Sequence, residues 1–167
     1  MGATQVVWTF GALAPVVWMG LAALLALWRG LAMPTLWRAF LALCALALAM
    51  TGLALWAGAG GSPWPGVLQV SSIGLAMAAL VQLLGTVIAV FSARYLQGEA
   101  NQRRYVVALA AVLAAVHLLL LADHWVVLIA AWALVGAALQ HLLCFYPDRP
   151  FARLAAHKKR LADRVAD

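Results

Sequence analysis

Charge is what this sequence has least of. Asp, Glu, Lys and Arg make up 10% of its 167 residues, and hydrophobic types make up 67%. At that ratio a water-soluble domain could not cover its own surface with polar groups, so a soluble fold is excluded and an integral membrane protein is implied. Lys and Arg are missing from the first nine residues. A secretory signal peptide opens with a basic segment, so the first apolar run is expected to be a retained helix. Cysteine is equally scarce. Cys44 and Cys144 stand 100 residues apart in separate apolar runs, with no partner at metal-ligand spacing. Both therefore read as small buried hydrophobes. Also missing are a Ser/His/Asp set, an HExxH spacing and a phosphate-cradling glycine loop. No catalytic residue, no metal site and no cofactor of its own are expected in this chain.

What is present is a series of long apolar runs, each near the roughly 20 residues that a helix needs to cross the hydrocarbon core. They fall at about 6–28, 36–56, 67–91, 105–121 and 125–146. The fold class expected is all-α integral membrane, with about five transmembrane helices in a bundle over 1–146. Pro15 should kink the first, because its ring clashes with the preceding turn and it donates no hydrogen bond. Gly-Ala-Gly-Gly-Ser-Pro-Trp-Pro after the second run is turn chemistry. The connection Ala122-Asp123-His124 is so tight that the fourth and fifth helices become antiparallel neighbours, with Asp123 and His124 in the turn that caps the fifth.

The basic residues give an orientation. Arg29 and Arg38 follow the first run, Arg94, Arg103 and Arg104 the third, and Arg149, Arg153, Lys158, Lys159, Arg160 and Arg164 the fifth, which accounts for all 11. By the positive-inside rule the N-terminus is outside and 147–167 is a basic cytoplasmic segment. Trp8, Trp56, Trp64 and Trp125 then belong to the outer interface, and Trp28 and Trp37 to the inner one. The net charge of +6 points to the lipid bilayer and its anionic headgroups rather than to nucleic acid.

Few polar residues lie within the runs. His117 is in the fourth and His141 in the fifth, roughly 16 Å apart in depth at 1.5 Å per residue, so they cannot share a metal. His117 reads as hydrogen-bonded inside the bundle and His141 as lying near the cytoplasmic interface, with a proton relay as the alternative for both. Gln82 reads as a helix-to-helix hydrogen bond or part of a polar path. Small residues in the fifth run, from Ala130 to Ala138, would let another helix approach closely. After Pro150, the spacing of Phe151, Leu154, Ala155, Leu161, Ala162 and Val165 opposite Arg153, Lys159, Arg160 and Asp163 describes a basic amphipathic helix.

FSARYL, then LADHWVVLIAAWALVG, then FYPDRP and AHKKRLADRVAD together resemble the start of the antiporter-like proton-translocating subunits of respiratory complex I, the subunit L type above all. Trp132, Leu134, Val135 and Gly136 match that family's W-E-L-V-G motif, and Lys158, Arg164 and Asp167 match its later R-K-x-F-x-x-x-R-x-G-D run. Ala133 stands where the family has an intramembrane glutamate. The paralogous membrane subunits of the DAB inorganic-carbon complexes (DabB) are similar in lacking that glutamate. They also carry a run like L-H-x-L-L-x-F-Y-x-x-R-P followed by A-x-K-K-F, which Gln140 to Pro150 and His157-Lys158-Lys159 resemble.

The resemblance implies the N-terminal part of a longer multi-pass protein of the bacterial cytoplasmic (inner) membrane, with 151–167 leading into a sixth helix. It implies proton movement coupled to inorganic-carbon uptake beside a carbonic-anhydrase-like zinc subunit of the DabA type, the zinc being the partner's. His141, Lys158, Arg164, Asp167 and, less directly, His117 would be polar elements of a proton path or partner contact. The alternatives are a proton-pumping subunit among other complex I-type membrane subunits, and a stand-alone five-span scaffold.

Overall fold

The computed structural model of the chain describes residues 3–99, 101–145, 158, 161 and 162. In chain order it forms α1 (Ala3–Gly11), α2 (Ala14–Leu27), α3 (Met33–Trp56), a hairpin of β1 (Gly61–Trp64) and β2 (Leu68–Val70), α4 (Ser72–Tyr95), α5 (Gln102–Leu121) and α6 (Trp125–Leu143). Among the described residues five helical stretches are long and apolar enough to cross a membrane: α3, α4, α5, α6, and Val7–Leu27, which joins α1 to α2. The protein is thus a multi-pass, all-α membrane bundle with one small hairpin at its end.

Pro15 acts as expected, breaking the first span rather than merely bending it. The chain tightens to a Leu13 N to Phe10 carbonyl bond, and the α-helical pattern restarts with Val17 N on the Leu13 carbonyl. Pro15 then sits in the first turn of α2, where its missing N–H would have had no partner. Pro34 plays the same part in α3, which consequently begins at Met33, ahead of the apolar run.

Three helices bury a stripe at three- and four-residue spacing: Pro15, Met19, Ala22 and Ala26 on α2, Leu36, Phe40, Cys44, Ala47, Thr51 and Ala54 on α3, and Leu75, Ala78, Gln82, Gly85, Ala89 and Ser92 on α4. α3 packs between α2 and α4, and α5 closes the ring by packing on both while also carrying α6 on its outer side. For that reason α5 buries residues around most of its circumference. Small residues set the approach of α4 to α5. A Cβ at Gly85 would stand 2.5 Å from Leu113 Cδ2.

The hairpin departs from the expected turn followed by a helix from residue 67. Trp64-Pro65-Gly66-Val67 is a type II turn, with Pro65 at its second position, Gly66 at φ +73°, and Val67 N donating to the Trp64 carbonyl at 3.0 Å. Leu68 and Val70 then alternate inward around an exposed Gln69. Ser71 delays the helix, its hydroxyl accepting from Gly74 N at 3.0 Å as an N-cap. Asp123 N bonds the Val67 carbonyl and Thr9 Oγ1 bonds the Gly60 carbonyl, so the hairpin fastens the α5–α6 turn and α1 to one end of the bundle.

Candidate functional site

The middle turns of α2, α3, α4 and α5 meet at a fully buried polar side chain. Gln82 on α4 is 0% exposed, and its amide reaches three neighbours, one on each of the other helices. Nε2 donates to the Cys44 carbonyl of α3 at 3.2 Å and stands 3.8 Å from Met19 Sδ of α2. Oε1 is 2.8 Å from His117 Nε2 of α5. A carbonyl can only accept, so the NH2 must face Cys44 and Oε1 must face the imidazole. His117, 2% exposed, therefore donates from Nε2. Cys44 Sγ completes the cluster, 4.0 Å from Met19 Sδ.

This arrangement links four helices through one amide. In lipid, where helices gain nothing from hiding apolar surface from one another, such bonds and close packing supply the association. The reading of Gln82 and His117 as interhelical hydrogen bonders fits this geometry, and Cys44 is buried as a small hydrophobe. Their pairing with each other was out of reach of the sequence, because 35 residues separate them and nothing in the pattern says which faces meet.

At the other end from the hairpin, α2, α4 and α6 end and α3 and α5 begin, and Arg29, Arg38, Arg94, Arg103 and Arg104 gather there. Arg103 holds the α2–α3 connection together. Nη1 donates to the carbonyls of Ala26 at 3.2 Å and Trp28 at 2.7 Å, and Nη2 donates to that of Leu31. These are carbonyls at and past the C-terminus of α2, where a cation is favoured. Trp37 differs from the interfacial role expected of it. It is 7% exposed and its indole donates to Gln102 Oε1 at 2.9 Å. Nearby, Ser92 Oγ and Tyr105 Oη are 2.7 Å apart, and Tyr105 meets Phe145 edge to face.

The remaining expected site residues scatter. His141 is exposed near the end of α6, and Lys158 is helical and exposed. Arg164 and Asp167 lie outside the described residues, as does most of the amphipathic segment. His124, not Asp123, caps α6, its Nδ1 accepting from Val126 N at 3.2 Å. Among the described residues no three His, Cys, Asp or Glu side chains converge as metal ligands. Ala133 is exposed midway along α6, as are its chain neighbours Trp132 and Leu134.

No family model matches the chain. It is 36% identical over 105 residues to the probable inorganic carbon transporter subunit DabB of Hydrogenovibrio crunogenus, covering 62% of this chain and 20% of that protein. It is also 36% identical to the probable inorganic carbon transporter subunit DabB2 of Halothiobacillus neapolitanus, over 60% of this chain and 18% of that one. With NADH-quinone oxidoreductase subunit L of Mycobacterium tuberculosis it shares 32% identity over 67% of this chain and 18% of that protein. The chain is thus similar to antiporter-like membrane subunits of the DabB and subunit L kinds, and spans about a fifth of the length of these curated relatives.

Proposed function

We propose that the chain is the N-terminal helical part of an antiporter-like membrane subunit that couples proton movement to inorganic-carbon uptake. Position 133 carries the choice between the two kinds of relative. An intramembrane carboxylate is expensive and is kept where it works. Ala133 offers none on α6, in line with the carbon-transporter resemblance and against a complex I-type pump. The partner in this reading is a carbonic-anhydrase-like subunit holding zinc, in the bacterial inner membrane, with the basic end of the bundle cytoplasmic. His141 and Lys158, both exposed, are its partner-contact or proton-path residues with Arg164 and Asp167. His117 has the lesser part, since its Nε2 is committed to Gln82.

Deleting the gene tests the reading. Growth should fail in ambient air and recover in CO2-enriched air, and the tagged protein should bring down a zinc-containing partner from native membranes. Loss of NADH-driven quinone reduction with normal growth in air would instead assign it to the complex I-type alternative.

A further inference from the structure

A cleft of about 500 Å3 opens at the arginine-bearing end of the bundle. Its lining includes Arg29 from the α2–α3 connection, Asn101, Arg103 and Arg104 at the start of α5, and the apolar Met33 and Val107. Arg103 is committed to the carbonyls of Ala26, Trp28 and Leu31. Arg29 and Arg104 are exposed, and among the described residues neither pairs with a carboxylate or a carbonyl. Two guanidinium forks therefore border one cavity with their donors unspent. The helix starts beside them add to the positive potential: α3 and α5 carry no acidic residue in their first turns, and no side chain caps either.

We propose that this cleft seats the phosphate of an anionic phospholipid, with Arg29 and Arg104 on the headgroup oxygens. Planar guanidinium groups match phosphate oxygens in paired hydrogen bonds, and basic pockets between membrane helices suit such headgroups. Met33 and Val107 give the cleft an apolar wall, Val107 lying about one turn further into α5. A free oxyanion would leave that wall bare, whereas the glycerol and upper acyl chain of a lipid would cover it.

The test is native mass spectrometry of the purified full chain in detergent, titrated with phosphatidylglycerol or phosphatidylcholine. Phosphatidylglycerol should bind the more tightly. Arg29→Gln with Arg104→Gln should weaken it about 30-fold while leaving phosphatidylcholine unchanged, the effect of two interfacial cationic contacts. Neither side chain bonds to another described residue, so helix content by circular dichroism should stay that of the wild type. Arg38→Gln with Arg94→Gln removes the same charge from the same end outside the cleft and should leave phosphatidylglycerol binding intact. Wild-type affinity in the cleft variant, or an equal loss in the control pair, overturns the proposal. Displacement of the lipid by excess inorganic phosphate would assign the site to a free oxyanion and overturn it as well.

Discussion

Replacing Gln82 by Leu should loosen the whole bundle through one atom of another helix. The substitution keeps roughly the volume of the side chain and removes two hydrogen bonds, to His117 Nε2 at 2.8 Å and to the Cys44 carbonyl at 3.2 Å. The Cys44 carbonyl stays within α3 and keeps its helical environment. The imidazole N–H, 2% exposed, has no other acceptor among the described residues. Hydrogen bonds between membrane helices average about 0.6 kcal/mol and reach about 1.7. A buried donor left without a partner costs about 1–3 kcal/mol. The stranded donor is thus the larger effect, and Gln82→Leu should cost about 2 kcal/mol. His117→Leu should cost a similar amount by stranding Oε1. The double variant strands neither atom and should lose far less than the sum. Unfolding titrations in mixed micelles, followed by helical circular dichroism, give the cycle. Additivity to within about 0.5 kcal/mol, the behaviour of independent sites, would show that the two side chains are not coupled and would refute the pairing.

Further substitutions read other parts of the bundle. In an exposed helix Gly→Ala gains about 1 kcal/mol, but at Gly85 the new methyl would lie 2.5 Å from Leu113 Cδ2. Overpacking of about 1–3 kcal/mol should win, and a raised melting temperature for Gly85→Ala would contradict the close α4–α5 approach. Arg103→Gln should speed amide hydrogen exchange through residues 28–32 and lower stability by about 1–2 kcal/mol, since it frees carbonyls bonded to a charged donor; unaltered exchange there would mean that the guanidinium is not the fastener. N-ethylmaleimide should modify the half-buried Cys144 first and reach the fully buried Cys44 only on denaturation, so Cys144→Ser should abolish labelling of the folded protein. Gly66→Ala should strain the hairpin turn at φ +73° and cost about 1 kcal/mol, with no loss if that turn is not type II.

The sequence carried the helices better than their meeting points. Apolar length located the spans, and Pro15 marked a real break because proline acts on its own backbone whatever surrounds it. Residues 67–71 went wrong for the opposite reason. Three inward-outward residues are too few to overcome the apolar composition that continues into α4, although Pro65-Gly66 and the Ser71 cap held the correction. Trp37 misled because an indole near a helix end is usually interfacial, and only the fold brings Gln102 within 2.9 Å of it. The Gln82–His117 pair is invisible in the same way, since a polar residue in an apolar run says that it needs a partner but not which one.

Ala133 shows where both kinds of information combine. Sequence alone notes a missing glutamate, and structure alone notes an exposed alanine on a helix that packs against α5. Together they explain the residue. A carboxylate at that position would stand exposed between Trp132 and Leu134 on a helix that carries no Lys or Arg of its own. At the centre of a bilayer that costs about 2.5–3.5 kcal/mol by insertion scales. Such a group is tolerable only when another helix covers this face and supplies a partner charge. Alanine removes that requirement, so this part of α6 presents the apolar side chains of Trp132 and Leu134 to whatever lies against it, with no buried charge to be matched.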